Sequence, residues 1–147
     1  MKRIATILLL SIWASITFAQ VDKVPPGTIV KHVPRSDSVY IGSPSLCVLP
    51  NGDYIASHDF FGPKANTGKS GTTLVYKSTD KGNTWAQIAK IEGQYWSNIF
   101  YFEKALYILG VKHGHGNIII RKSLDNGATW TTPNDSKSGL LFVGAYH

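Results

Sequence analysis

The stretch Ser78-Thr79-Asp80-Lys81-Gly82-Asn83-Thr84-Trp85 returns later in the chain as Ser123-Leu124-Asp125-Asn126-Gly127-Ala128-Thr129-Trp130. Both copies read S-x-D-x-G-x-T-W, and they begin 45 residues apart. In each copy the Asp can accept backbone N–H bonds within a tight turn, and the Gly supplies a positive φ without a Cβ penalty. The Trp then leaves the turn as a large apolar side chain that can pack between adjacent sheets. The repeat therefore predicts the same hairpin turn twice, with a structural role for Ser78, Asp80, Gly82, Trp85, Ser123, Asp125, Gly127 and Trp130.

Short β-prone runs flank the two turns in the same order. Residues 45–49, 54–57 and 73–77 precede the first turn and residues 86–91 follow it, whereas residues 98–102, 105–111 and 117–122 precede the second turn and a run from 131 onward follows it. No segment after residue 19 sustains a helical period. Four short strands at a period near 45 residues predict an all-β chain of β-propeller blades, each a sheet of four antiparallel strands.

The first nineteen residues are typical of a secretory signal peptide. Lys2 and Arg3 precede an apolar stretch at 4–18, and Thr17-Phe18-Ala19 places small residues at a cleavage site. The apolar stretch is shorter than the roughly 20 residues that span a bilayer. We therefore expect a secreted or periplasmic protein with no membrane association after cleavage. The predicted organisation is a signal peptide at 1–19, an N-terminal segment at 20–38 that could form an outer closing strand, and propeller blades at 39–147.

Composition excludes several classes of protein. The chain has 147 residues, of which 43% are hydrophobic and 16% charged, which is typical of one modest folded domain rather than a disordered chain. Its single cysteine, Cys47, excludes a disulfide scaffold or a cysteine-based zinc module. The formal net charge is +6, but the basic residues are scattered without a Lys/Arg stripe, which argues against a nucleic-acid partner.

The two turns also carry a family resemblance. A secreted chain with S-x-D-x-G-x-T-W turns, each between the third and fourth strands of a unit, resembles the sialidase superfamily, whose turns are called Asp boxes or BNR repeats. The resemblance covers residues 39–147 and implies the first two blades, and the start of the third, of a six-bladed propeller. It implies a secreted exo-α-sialidase-type glycoside hydrolase that acts on terminal, acidic sugars of glycans. The remaining blades would belong to a longer parent chain, and we expect this chain alone to be inactive and to need no cofactor or metal.

The resemblance also implies where a site would lie. In the family, the active site is built at the end of the blades opposite the Asp boxes, from the starts of the first strands and the loops between second and third strands. Asp59 inherits the role of general acid there, and His58 beside it is the second catalytic candidate. The positions implied to contact a glycan are Ser43, Tyr95, Trp96, His113 and His147.

The residue types at this end leave alternatives open. Histidines 58, 113, 115 and 147 fall on one predicted face, which suits acid–base chemistry but also suits solvated loops without a role. The pair His113 and His115 has no third ligand nearby, so no metal site is predicted. Tyr95 and Trp96 could stack against a sugar or pack between blades.

One departure from the family pattern keeps other functions in view. Gly42 stands where sialidases carry an arginine that grips the substrate carboxylate by bidentate hydrogen bonds. A propeller polysaccharide lyase or non-sialidase glycosidase is one alternative, with His58 and either Tyr146 or His147 as base and acid. A propeller that binds glycans without catalysis is the other.

Overall fold

The computed structural model describes residues 27–65 and 70–144, and within them the chain forms eight strands and a single turn of 3-10 helix, Arg35–Asp37. The strands build two antiparallel sheets, each with its four strands in sequence order. The first sheet contains β1 (Tyr40–Val48), β2 (Tyr54–Phe61), β3 (Thr72–Ser78) and β4 (Ala86–Glu92). The second contains β5 (Tyr95–Phe102), β6 (Ala105–Val111), β7 (Ile118–Ser123) and β8 (Leu140–Phe142). The predicted all-β architecture of four-stranded, propeller-like sheets is confirmed.

The core lies between the two sheets. Ile55 and Val75 from the first sheet meet Leu106 and Ile108 from the second, and all four side chains are fully or almost fully buried. Each such side chain contributes about 1.5–3 kcal/mol by leaving water. The two sheets are therefore joined by a common core, which fixes the ends of their strands relative to one another.

The end of the second unit differs from the sequence-based prediction. The run from Thr131 onward was expected to be the fourth strand, but β8 begins at Leu140. Asp135 and Ser138 explain the delay, because the Asp135 carboxylate accepts the backbone N–H of Ser138 at 2.8 Å and so closes a tight turn. The chain joins the sheet at Gly139, whose carbonyl accepts the N–H of Ile120 at 2.8 Å.

Several predictions concern residues outside the described ranges. The signal peptide, the loop residues 66–69, and Tyr146 and His147 are among them. Across the ranges that the structure does describe, no helix has the length and apolar character needed to cross a membrane.

Candidate functional site

The first S-x-D-x-G-x-T-W turn is closed by side chains from its own sequence. The Asp80 carboxylate accepts the backbone N–H of Thr84 at 2.8 Å and the hydroxyls of Ser78 and Thr84 at 2.7 and 2.6 Å. Gly82 adopts φ 87°, and its N–H donates to the Ser78 hydroxyl at 2.8 Å. These hydrogen bonds, that from the Thr84 hydroxyl first, lower the pKa of Asp80 to about 2. Asp80 is thus an ionised structural carboxylate within the turn.

The second turn repeats this geometry. Asp125 accepts the Thr129 hydroxyl at 2.6 Å and the Thr129 N–H at 2.9 Å, and these bonds lower the pKa of Asp125 to about 2. The two tryptophans differ in what they cover. Trp130 packs against the core between the sheets, whereas Trp85 packs on the outer face of the first sheet. The expectation that both rings lie between adjacent sheets is therefore met by Trp130 alone among the described residues.

The opposite end of the sheets carries two equivalent backbone irregularities. The pairing of β1 with β2 shifts between Gly42 and Ser45, and the pairing of β5 with β6 shifts between Tyr95 and Asn98. Within these bulges Ser43 has φ 48° and Trp96 has φ 50°. A positive φ is unusual for a bulky residue and is maintained only where the surroundings enforce it. A β-bulge whose unusual backbone is stabilised by its surroundings therefore lies near the start of the first strand of each sheet.

Aromatic side chains form a row across this end of both sheets. Phe61 ends β2 and lies with its ring centroid 4.6 Å from that of Tyr95 at the start of β5. The rings of Tyr95 and Trp96 stack with their centroids 5.6 Å apart, and the rings of Trp96 and His115 are nearly perpendicular with their centroids 5.6 Å apart. Trp96 is 41% exposed and borders a groove of about 270 Å³ that Asn98 helps to line. We call Phe61, Tyr95, Trp96 and His115 the aromatic row.

Asp59 lies beneath the aromatic row and is fully buried. Its carboxylate accepts the Thr73 hydroxyl and, at 2.7 Å, the backbone N–H of Ser97 on the neighbouring sheet. Burial raises the pKa of Asp59, and the hydrogen bonds from Thr73, Ser97 and Ser43 oppose that rise. Ser43 thus lies near the Asp59 carboxylate rather than on the exposed surface. The catalytic role of Asp59 stays a prediction.

The side chain of His58 lies on the opposite face of β2 from that of Asp59. The sequence-based interpretation placed His58 and Asp59 together where the second strand ends, but β2 continues to Phe61. Because neighbouring residues of a strand point to opposite faces, the two side chains separate. His58 is 5% exposed on the outer face, where Nε2 lies 3.2 Å from the Tyr76 hydroxyl. Burial lowers the pKa of His58, which favours the neutral ring.

Of the two loop histidines, His115 rather than His113 contacts Trp96. The predicted glycan contact His113 is half-buried in the loop between β6 and β7, with Nδ1 3.2 Å from the carbonyl of Gly114. His147 lies outside the described residues. Within 27–65 and 70–144 no three histidine, cysteine or acidic side chains gather as a metal site would require.

Sequence reasoning missed Gln94, through which the two sheets are connected at this end. Arg121 Nε donates to the Gln94 side-chain oxygen at 3.1 Å, and its terminal nitrogens donate to the carbonyls of Glu92 and Thr131 at 3.2 and 2.9 Å. Gln94 is fully buried, and its backbone carbonyl oxygen lies 3.2 Å from the Thr73 hydroxyl. A buried glutamine has no pattern of its own in sequence, because its partners come from strands far along the chain.

Comparison with known proteins gives structural similarities only. No protein-family model and no curated protein matches the chain. Trypanosoma rangeli sialidase, solved with 2,3-difluorosialic acid, is 24% identical over 56% of this chain and 13% of its own, with a TM-score of 0.46. Penicillium chrysogenum α-L-arabinanase, complexed with arabinobiose, is 22% identical over 59% of this chain and 29% of its own, with a TM-score of 0.48. A Hadza microbial sialidase is 17% identical over 60% of this chain and 17% of its own, with a TM-score of 0.48.

Sialidases are among the solved structures that the chain resembles. That similarity was predicted from the two S-x-D-x-G-x-T-W turns. The matched region spans between 13% and 29% of the length of these three proteins.

Proposed function

We propose that the chain is the N-terminal part of a longer, secreted glycoside hydrolase of the sialidase-like propeller type, acting on terminal, acidic sugars of glycans. The observation that carries the proposal is the aromatic row. It combines side chains from two sheets and a loop at the end opposite the Asp boxes. Within the row Tyr95 is buried, whereas Trp96 and His115 are exposed. An exposed aromatic face binds the apolar C–H face of a sugar, while polar groups nearby contact its hydroxyls.

Charge near the row supports an acidic sugar. The loop at 112–117, which brings His115 against Trp96, begins with the exposed Lys112 and also contains His113. Neither this loop nor residues 95–97 contains a carboxylate. A sugar that carries a carboxylate would meet the Lys112 ammonium there, and neither of these two segments places an acid opposite it.

Both outer sheet faces support the proposal that further blades follow. On the first sheet Leu46 and Val48 are more than half exposed, and on the second Phe142 is 51% and Leu109 38% exposed. Sheets of a propeller bury such faces against their neighbours. In the proposed longer protein, these faces would pack against additional four-stranded sheets, and the sheet next to the second would form the other wall of the groove beside Trp96.

The test is a binding measurement on the full-length protein. We expect calorimetric titration with sialic acid and with arabinobiose to show binding of sialic acid, and Trp96→Ala to weaken it by about 3- to 10-fold, since one aromatic contact contributes roughly 0.5–1.5 kcal/mol. Phe102→Ala is the matched control, because Phe102 is an exposed aromatic residue at the other end of the same strand. If Trp96→Ala lowers the melting temperature and leaves sugar affinity unchanged, Trp96 is a packing residue and the proposed site is wrong.

A glycan-binding propeller without catalysis is the second candidate, and the burial of Asp59 favours it. A general acid must approach the leaving oxygen of the substrate, yet both Asp59 oxygens are engaged inside the protein. Release of 4-methylumbelliferone from its α-sialoside by the full-length protein separates the candidates. Turnover supports the hydrolase, whereas sialic acid binding without turnover supports the binding protein.

A further inference from the structure

Asp59 contacts the segment that presents Trp96, not the surface where a substrate would bind. Its Oδ2 accepts the N–H of Ser97 at 2.7 Å, and Ser97 immediately follows Trp96 in the β5 bulge. The second oxygen accepts the hydroxyl of Thr73, which lies 2.9 Å from the Ser97 hydroxyl. A carboxylate from the first sheet thus fixes the backbone of the second.

The rest of the segment at 94–97 is held from the other sides. Gln94 is bound through its side chain by Arg121. Gly110 on β6 lies so close to this segment that a side chain there would collide with its backbone. A Cβ at Gly110 would lie 2.5 Å from the Tyr95 carbonyl oxygen and 3.2 Å from that of Trp96. The surroundings therefore match the unusual left-handed backbone of Trp96.

We infer that Asp59 is a positioning residue: its hydrogen bond to the Ser97 N–H fixes the β5 bulge that turns the Trp96 ring outward to bind sugar. The inference rests on the proposed function only for the sugar. A left-handed conformation costs a non-glycine residue free energy, and a buried hydrogen bond from a backbone N–H to a carboxylate supplies a stabilisation of comparable size. Without the bond, Trp96 would relax toward ordinary extended backbone and the ring would leave the row.

The substitution Asp59→Asn separates positioning from catalysis. An asparagine oxygen can still accept the Ser97 N–H, and its amide can donate to the Thr73 hydroxyl, which is free to donate to the Gln94 carbonyl at 3.2 Å. Asp59→Ala removes both bonds. A positioning residue is therefore replaced well by asparagine and badly by alanine, whereas a general acid is replaced badly by both.

Amide hydrogen exchange on the full-length protein tests the hydrogen bond without any sugar. We expect Asp59→Ala to speed exchange of the Ser97 amide by about 10-fold or more, and Asp59→Asn to leave it within about 3-fold of the wild type. Asp53→Ala is the matched control, since Asp53 is another buried carboxylate, at the far end of β2, where it pairs with Lys77 at 2.7 Å. Unchanged exchange in Asp59→Ala overturns the inference.

Sialic acid titration then tests the consequence for Trp96. Asp59→Ala should weaken binding by the same 3- to 10-fold as Trp96→Ala, and the double variant should lose no more than either single variant. Full additivity overturns the link between the two residues. If hydrolysis of the α-sialoside falls equally in Asp59→Asn and Asp59→Ala and binding is kept, Asp59 is the general acid and the inference is wrong. If the wild type binds no sialic acid, the proposed function fails while the amide exchange result still decides the role of the hydrogen bond.

Discussion

Gly110→Ala is the substitution whose effect the structure defines most closely. The added Cβ would lie 2.5 Å from the Tyr95 carbonyl oxygen and 2.6 Å from Gln94 Nε2, although real Cβ atoms essentially never approach within 3.0 Å. The oxygen belongs to the peptide that enters the β5 bulge, and that bulge is held by the bond between Ser97 and Asp59. The collision can be relieved only by moving this backbone, because no flexible side-chain end is involved on the oxygen side.

We expect Gly110→Ala to lower the free energy of unfolding by about 1–3 kcal/mol, the usual cost of overpacking a well-packed site. It should also weaken sugar binding, since the displaced peptide carries Trp96. Urea unfolding and sialic acid titration of the full-length protein measure the two effects.

Gly116→Ala provides the matched control for this prediction. Its Cβ would lie 2.8 Å from the His113 ring, but that ring ends a side chain that can rotate away. We expect a clearly smaller loss of stability than for Gly110→Ala, because only the end of a flexible side chain has to move. If Gly110→Ala and Gly116→Ala are equally stable, the tight fit of β6 against the bulge is refuted.

Three further predictions concern the turns, the core and the length of the protein. The pKa of Asp80 and of Asp125 is lowered from 3.8 to about 2, so the folding stability that these carboxylates contribute is fully present above about pH 4 and is lost as pH falls toward 2. Replacing both by asparagine should therefore reduce the fall of the melting temperature between pH 4 and pH 2. Ile108→Ala should cost about 2–5 kcal/mol and Leu124→Ala, at a turn position that is 76% exposed, clearly less; equal losses would contradict the place of Ile108 in the core between the sheets. Sequencing the source DNA beyond His147 should reveal further S-x-D-x-G-x-T-W turns at similar spacing, and a stop codon there would contradict the proposed longer propeller.

Local signals were sufficient to predict the repeated strands and turns. Alternating apolar residues and a turn motif depend on neighbours in sequence, so seven of the eight strands of the described chain occur where a β-prone run was identified. The last strand was misplaced because the turn at Asp135 and Ser138 was read as part of a strand. Asp, Ser and Gly at 135–139 were the available signal for that turn.

The end that bears the aromatic row was predicted only in part, for a physical reason. Tyr95 and Trp96 were identified as an aromatic pair, but the positive φ of Trp96 depends on Asp59, far away in sequence. The separation of His58 from Asp59 follows from strand alternation once β2 is known to continue to Phe61. Bulges and cross-sheet hydrogen bonds of this kind arise from tertiary contacts, which a local pattern does not encode.

The two sheets share the same turns but differ at the end that carries the aromatic row. Gly42 pairs with Asp59 in the first sheet, and Tyr95 pairs with Val111 at the same register position in the second. The valine side chain has no hydrogen-bond acceptor, so Val111 cannot fix a bulge in a following sheet in the way that Asp59 fixes the β5 bulge at Trp96. A feature needed only to build sheets would be expected in both copies, as the S-x-D-x-G-x-T-W turns are. The equivalent positions in the other sheet hold Val111 in place of Asp59 and Ser43 in place of Trp96, which is the arrangement expected if Asp59 and Trp96 serve a site rather than the fold.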